Sequence, residues 1–391
     1  MVADPEIVQH VLLTNRDNYS KDLSDYRLLT YLMGSGLLTS EGKRWQAQRQ
    51  VMQALFHHRE MPGYFELTVR AVDRFCESWQ ENLGQSVDIT LEMMTLSLMM
   101  TAECLCKTSL SVAAARQAVQ QFFYQHAHVC KTGNLFSWMP LPRNVHYQWS
   151  KHSTDKLAKT IYRDNTQGLQ HDVVTVMERA VNESTGKAFS KEDILDQVTT
   201  LLATGHETTG LGLAWSWYLL AKNPAPQQQL LTEIQQVYSS SFNYELLEKY
   251  PYAQWVFQEA IRLYPPIWAI PRYAKAADSV AGYKIPAKAA LLINVFSLHH
   301  LADEWHDPEV FNPDRFSKEH RDKRHKYAYL PFGAGPHVCI ANALALMQAK
   351  VALVVLSTRF KLSLLSDADP GLRTYVTLKS NQPILMKITT P

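Results

Sequence analysis

Cys339 stands in the run Pro331-Phe332-Gly333-Ala334-Gly335-Pro336-His337-Val338-Cys339-Ile340-Ala341, behind two glycines and a proline. Glycine reaches backbone conformations closed to other residues, so such a loop can approach a flat cofactor closely. The apolar run Ile340 to Leu356 has helical periodicity and predicts a helix opening at the sulfur. A helix N-terminus and a bound metal both favour thiolate over thiol. Cys339 therefore suits a thiolate metal ligand, the competing reading being a buried free cysteine on a helix. A second group of reactive types is Thr204-Gly205-His206-Glu207-Thr208-Thr209, a carboxylate and hydroxyls beside a glycine. Hydroxyls that bond back to the helix, with the glycine, can open a local groove in which dioxygen would fit. His206-Glu207 also begins a zinc-peptidase pattern, but Gly210 occupies the second ligand position and cannot bind a metal.

These groups need rigid elements to position them. Helical periodicity dominates from Glu6 to Tyr264 and predicts helices near Glu41 to Phe56, Phe65 to Asn82, Leu91 to Lys107, Ala113 to Val129 and Arg143 to Thr166. The longest runs from Glu192 to Lys222 and ends at Asn223-Pro224, where proline blocks continuation. About thirty residues at 1.5 Å each would cross a whole domain. Past Pro265, short β-like runs follow at Trp268 to Ala274, Tyr283 to Ile285 and Ala290 to Phe296, with a turn at Ala281-Gly282 and a strand region from Phe360 to Ile388. The expected fold class is mainly α with small β-sheets, an α+β chain forming a single domain over residues 1–391.

Composition excludes several classes. The 391 residues are 46% hydrophobic and 19% charged with a net charge of +2, which suits a globular protein with a sizeable core and gives no electrostatic reason for nucleic-acid binding. The five cysteines, Cys76, Cys104, Cys106, Cys130 and Cys339, form no CxxC pair and are odd in number, which fits a reducing compartment. No run reads as a membrane segment or a signal peptide, so the expected location is cytoplasmic.

The order Phe-x-x-Gly-x-x-x-Cys-x-Ala resembles the haem-binding signature of the cytochrome P-450 superfamily, and Thr204 to Thr209 is similar to the family's acid and alcohol pair. The resemblance covers essentially the whole chain. It implies the cytochrome P-450 fold with one long helix crossing over the haem, haem b held by the Cys339 thiolate, and Phe332 and Gly335 beside it. It also implies that Glu207 relays protons toward oxygen and that Thr208 holds the hydrogen bonds that steer O–O cleavage.

Glu259 and Arg262, three apart on a helical run, can share a face and pair, and the resemblance adds Arg315 of Phe311-Asn312-Pro313-Asp314-Arg315-Phe316 as a third member locking the cysteine loop. Trp45 and Arg49, four apart, present an indole N–H and a guanidinium on one helix face; with Arg272 they are implied propionate anchors. His337 replaces the family's usual propionate-pairing arginine, which makes that contact pH-sensitive. Thr204 stands where the family has Ala or Gly and should narrow a pocket to which Ala203, Ile267 and Trp268 also contribute. Trp138 and Met139 fall in the connection the family uses as a lid, and Arg321 to Lys326 near the face where it docks electron donors. The opening Met1 to Val8 resembles the end of a strand entering a helix, so the segment the family places before it, with any membrane anchor, is expected upstream.

The implied activity is a haem-thiolate monooxygenase that inserts one oxygen atom from dioxygen into an apolar small molecule. Electrons would come from NAD(P)H through a ferredoxin, a flavodoxin-type protein or a reductase, and the enzyme would be a monomer. Two alternatives remain at this level. One is a peroxide-driven enzyme or isomerase, which the acid and alcohol pair opposes; the other is a haem sensor or inactive remnant.

Overall fold

The computed structural model describes residues 1–21, 23–132, 139, 141–166, 168, 170–182, 186–237, 242–321 and 324–391. The chain divides into two compact units, both discontinuous in sequence: residues 24–78 with 91–210, and residues 1–23, 79–90 and 211–391.

Helices build the first of these. Ile89–Cys106 is mostly apolar, and Met93, Met94, Leu96, Leu98, Met99 and Met100 are fully buried, which makes it a core helix. Val112–Thr132 packs on Pro142–Asn165, and buried polar groups set the contact: Gln125 Nε2 donates to Ser150 Oγ at 3.2 Å and to Thr154 Oγ1 at 3.0 Å. Lys191–Lys222 is α-helical throughout its 32 residues, about 48 Å at the standard rise. Ser190 Oγ accepts from the Asp193 amide at 3.1 Å while Asp193 Oδ2 accepts from the Ser190 amide at 3.0 Å, a reciprocal cap that fixes its start. Its C-terminus lies in the other unit, where Asn223 Nδ2 donates to the Leu219 carbonyl at 2.8 Å before Pro224 opens the next helix.

The other unit carries the larger sheets. Ala269–Ala274 lies between Tyr19–Ser20 and Ala290–Asn294, all antiparallel, with Arg272 opposite Leu291. Leu385–Thr389 lies between Ser86–Asp88 and Lys361–Leu364. The hairpin Asp278–Val280 to Tyr283–Ile285 turns through Ala281 and Gly282, both at positive φ (48° and 81°), as a tight two-residue turn requires. Ile7, Val8, Val11, Leu12, Ile293, Val295, Leu298, Tyr327 and Leu330 form a shared apolar core.

The expected α+β class is observed, with shifted boundaries. Val295 and Phe296, expected to end a strand, begin the helical turn Val295–Leu298, because the Asn294 side chain accepts from the Ser297 amide at 3.0 Å and caps it. Glu41 to Phe56 resolves into the α-helix Gly42–Met52 and the 3₁₀ segment Gln53–Phe56. By length and composition alone, Ile89–Cys106 and Gly335–Arg359 are long and apolar enough to cross a membrane. The first is 94% buried, which accounts for its apolar character by core packing.

Candidate functional site

The backbone before Cys339 doubles back on itself. Gly333 and Gly335 take φ of 71° and 69°. The Cys339 amide donates to the Phe332 carbonyl at 2.9 Å, the Val338 amide to Gly335 at 3.1 Å and the Gly333 amide to Leu330 at 3.1 Å. A Cβ on Gly335 would lie 2.0 Å from the Leu12 carbonyl oxygen, so only glycine fits against the π-helical turn His10–Thr14. Residues 331–341, including Phe332, His337 and Cys339, are all partly exposed, although Leu330 before them and Leu344 after them are core residues. The helix opens at Asn342, not at Ile340, so Cys339 precedes its first turn by three residues. Its N-terminal dipole still favours a thiolate nearby. Cys76, Cys104 and Cys106 differ: all three are buried thiols, and burial pushes the Cys106 thiol well above its ordinary value.

A clamp of charged groups sits behind this loop. Glu259 and Arg262 are both fully buried on the helix Pro251–Leu263. Arg262 Nε donates to Glu259 Oε2 at 2.7 Å and its second terminal nitrogen to Oε1 at 2.8 Å, a bidentate pair; its first donates to the carbonyls of His299 at 2.9 Å and Pro308 at 2.7 Å. Glu259 Oε1 also accepts from Arg315 Nε at 3.2 Å and the Asn312 amide at 3.1 Å. All three residues expected to form this group are thus in contact.

Two participants in the clamp were invisible in the sequence. Trp305 lies 4.9 Å from the Arg262 guanidinium and 4.1 Å from that of Arg324. Arg324 therefore packs on a ring instead of standing free, and Asp322 and Lys323 of the same basic run lie outside the described residues. His299 Nε2 accepts the Leu330 amide at 2.8 Å, so Nδ1 carries the proton and donates to the Arg262 carbonyl at 3.2 Å. Burial holds this imidazole neutral, at about 3. One ring thus ties the helix of the clamp to the residue from which the cysteine loop departs.

From Gln197 to Leu220 the long helix is buried at every position except Thr204, Gly205 and Thr208, and these three lie in the other unit. These three form one short, partly exposed strip at helical spacing. Thr204 Oγ1 donates to the Thr200 carbonyl at 2.7 Å and Thr208 Oγ1 to the Thr204 carbonyl at 2.8 Å. Gly205 lets the helix Ile89–Cys106 come close: a Cβ there would stand 2.8 Å from Thr101 Cγ2, and Ser97 Oγ donates to the Gly205 carbonyl at 3.0 Å. The glycine thus serves helix packing without interrupting the helix. Glu207, next to Thr208, points inward and is 3% exposed, with Oε2 3.0 Å from His126 Nδ1.

The remaining expected site residues are distributed as follows. Trp45 and Arg49 are half-buried, one turn apart on Gly42–Met52. Arg272 is 6% exposed on its strand and donates to the Pro271 carbonyl at 2.8 Å. Ala203 is buried, Ile267 and Trp268 are half-buried, and Trp268 Nε1 donates to the Tyr375 carbonyl at 3.0 Å. Trp138 lies outside the described residues, while the Met139 carbonyl accepts from the Leu141 amide at 2.8 Å and Asn144 Nδ2 at 2.9 Å.

A partly exposed cysteine loop opened by two left-handed glycines fits contact with a flat, thiolate-held cofactor.

Known proteins agree. The model of the cytochrome P-450 family matches residues 1–387. Human cytochrome P-450 4Z1 is 30% identical over 411 residues, 98% of this chain and 80% of that protein. Cyclooctatin synthase of Streptomyces melanosporofaciens is 29% identical, across 92% of this chain and 79% of its own. Cyclooctat-9-en-7-ol 5-monooxygenase of the same organism is 29% identical, across 93% and 80%. The crystal structure of the cytochrome P-450DA haem domain shares the fold, with a TM-score of 0.89 over 100% of this chain and 87% of that domain at 24% identity. The chain therefore belongs to the cytochrome P-450 family of haem-thiolate monooxygenases, enzymes that draw electrons from a redox partner to oxidise a small-molecule substrate.

Proposed function

We propose that Cys339 is the thiolate ligand of haem b and that residues 1–391 act as one catalytic domain. The observation that carries this is the cysteine loop: left-handed Gly333 and Gly335, amide bonds that fold the loop back on Phe332, and partial exposure of every residue from 331 to 341. Gly335 and Phe332 allow close approach to the ring, and Trp45, Arg49, Arg272 and His337 supply N–H groups for its carboxylates. The bound haem supplies reductive activation of dioxygen and delivery of one oxygen atom to the substrate.

The protein's own residues do the rest. Glu207 carries protons inward along the long helix, and Thr208 presents its hydroxyl on the partly exposed strip, where it orients the last hydrogen bond of that route. Thr204 narrows the strip with a methyl group, and Ala203, Ile267 and Trp268 add apolar surface, so the substrate class is an apolar small molecule. The Streptomyces relatives whose names refer to cyclooctatin and cyclooctat-9-en-7-ol support that class. Electrons derive from NAD(P)H through a ferredoxin, a flavodoxin-type protein or a reductase, and the enzyme is a monomer working in the cytoplasm, where cysteines stay reduced.

The test is the carbon monoxide difference spectrum of the reduced protein. Wild type should give the thiolate-type band and Cys339→Ala should lose it, while Cys130→Ser keeps it. A thiolate band in Cys339→Ala would assign the ligand to another residue.

A further inference from the structure

Asp278 heads a hairpin and has no part in the haem site as proposed, yet several donors converge on its carboxylate. Oδ2 accepts from Tyr19 Oη at 2.6 Å, from His10 Nε2 at 2.8 Å and from Asn15 Nδ2 at 2.9 Å, while Oδ1 accepts from the Ser279 amide at 2.7 Å. The side chain is 14% exposed. Its hydrogen bonds, that of Tyr19 first, hold the carboxyl well below the usual carboxylate value. An ionised carboxylate only accepts, so Nε2 of His10 carries a proton.

Two of these donors bracket one turn. His10 opens the π-helical turn His10–Thr14, and Asn15 closes it with its amide donating to the His10 carbonyl at 2.8 Å. Such turns are rare and gather at functional sites. The chain just beyond is fastened to the same hairpin side: Asn18 Oδ1 accepts from the Ala276 amide at 2.8 Å, and Tyr19 pairs with Ala274 in the sheet. Between the bracketed ends lies Leu12, 3% exposed, the residue whose carbonyl oxygen meets Gly335. Gly335 begins the 3₁₀ turn Gly335–His337 that leads to Cys339. Asp278 thus connects through the π turn and the Leu12 carbonyl to the cysteine loop, all within one compact unit.

We propose that Asp278 is a positioning residue for the cysteine loop: by gripping both ends of the π turn it fixes the Leu12 carbonyl against which Gly335 packs, and so holds the Cys339 sulfur in place as a ligand. The inference rests on the assignment of Cys339 as the haem ligand.

The haem-loaded enzyme tests it. Asp278→Asn keeps the shape, removes the charge and puts an N–H among groups that are themselves donors. Tyr19→Phe keeps the ring and the carboxylate and removes one donor. Amide hydrogen exchange should quicken roughly tenfold across residues 331–341, where the Gly333, Val338 and Cys339 amides are hydrogen-bonded, and across 10–15 in Asp278→Asn. Leu385–Thr389, a strand of the other three-stranded sheet in the same unit, should keep its wild-type rate. Tyr19→Phe should show the same pattern at about threefold, since two of the three Oδ2 donors remain. The thiolate-type carbon monoxide band of the reduced enzyme should decay faster in both variants, in the same order.

If exchange quickens at 10–15 but not at 331–341, the grip does not reach the loop and the inference is wrong. It is equally wrong if Leu385–Thr389 quickens as much as the loop, because Asp278 then serves overall stability. Cys339→Ala separates the two levels. A thiolate band in that variant overturns the ligand assignment and the inference with it, whereas its loss there, beside wild-type exchange and band decay in Asp278→Asn and Tyr19→Phe, overturns the inference alone. Should Asp278→Asn not retain haem, Tyr19→Phe makes the same comparison with the carboxylate still in place.

Discussion

Replacing Arg262 with Met keeps most of the side-chain volume and removes the charge, so it isolates the electrostatic part of the clamp. Five hydrogen bonds disappear: two charge-assisted ones to Glu259 and three to the carbonyls of His299, Pro308 and Val310. Glu259, fully buried, keeps Arg315 Nε and the Asn312 amide, so it is weakened without being stripped. Breaking a buried ion pair by removing one partner costs about 3–5 kcal/mol, a fifth or more of the ~5–15 kcal/mol that holds a typical protein folded. Because the His299 and Pro308 carbonyls also lose their donor, the loss should fall in the upper part of that range.

The assay is urea unfolding of the haem-loaded enzyme at neutral pH, followed by tryptophan fluorescence and by loss of the thiolate-type carbon monoxide band. Haem content per protein on purification serves as a second measure. Haem content should fall sharply, and the loop-dependent carbon monoxide band should be lost at lower urea than the fluorescence. The double variant Glu259→Leu, Arg262→Met should regain part of the stability, since the cost lies in an uncompensated charge; recovery is incomplete because Arg315 then loses its carboxylate. If Arg262→Met unfolds within ~1 kcal/mol of wild type, the size of a single ordinary hydrogen bond, the clamp contributes little. If the double variant is less stable than the single one, the charge argument is wrong.

Other outcomes follow from the same geometry. Thr208→Ala should keep haem and substrate binding but divert electrons to peroxide, measured as product per NAD(P)H; unchanged coupling would remove Thr208 from proton delivery. Gly335→Ala should not yield stable haem-loaded protein, because its methyl would overlap the Leu12 carbonyl and the residue sits at positive φ, and full haem occupancy on purification would contradict this. His299 should make the protein acid-sensitive. Its folded value, about 3, lies below the ordinary histidine value of 6.5, so the unfolded chain binds the extra proton between these limits. The contribution is therefore complete above pH ~6.5 and is lost as pH falls toward ~3. Urea midpoints from pH 7 to 4.5 should decline in wild type and decline less in His299→Gln; equal slopes would refute the assignment.

What could be read before any fold was known is what neighbours in sequence decide. The cysteine loop is a local pattern of glycine, proline and cysteine, and the pairing of Glu259 with Arg262 needs only helical spacing. The strip at Thr204 and Thr208 likewise lies within one turn. Asp278 could not be found this way, because its donors are far away in the sequence and a lone aspartate before a turn has no distinguishing signal. The same holds for Trp305 and for the His299 tautomer, which is set by the Leu330 amide. Boundaries slipped where a single side chain intervened, as Asn294 does in turning Val295 and Phe296 from strand to helix. Ile89–Cys106 has the length and hydropathy of a membrane span, and only its burial distinguishes it as a core helix.

The strip on the long helix also determines how this enzyme can change over generations. From Gln197 to Leu220, a substitution anywhere but Thr204, Gly205 or Thr208 alters a packed interior, where even a small change in volume has a cost. Gly205 is closed to variation by Thr101, and Thr208 by its proposed part in proton delivery. Thr204 is left as the residue along that stretch where drift can reshape the proposed substrate space without disturbing either folding or proton delivery, and a library confined to position 204 is the smallest experiment that samples it.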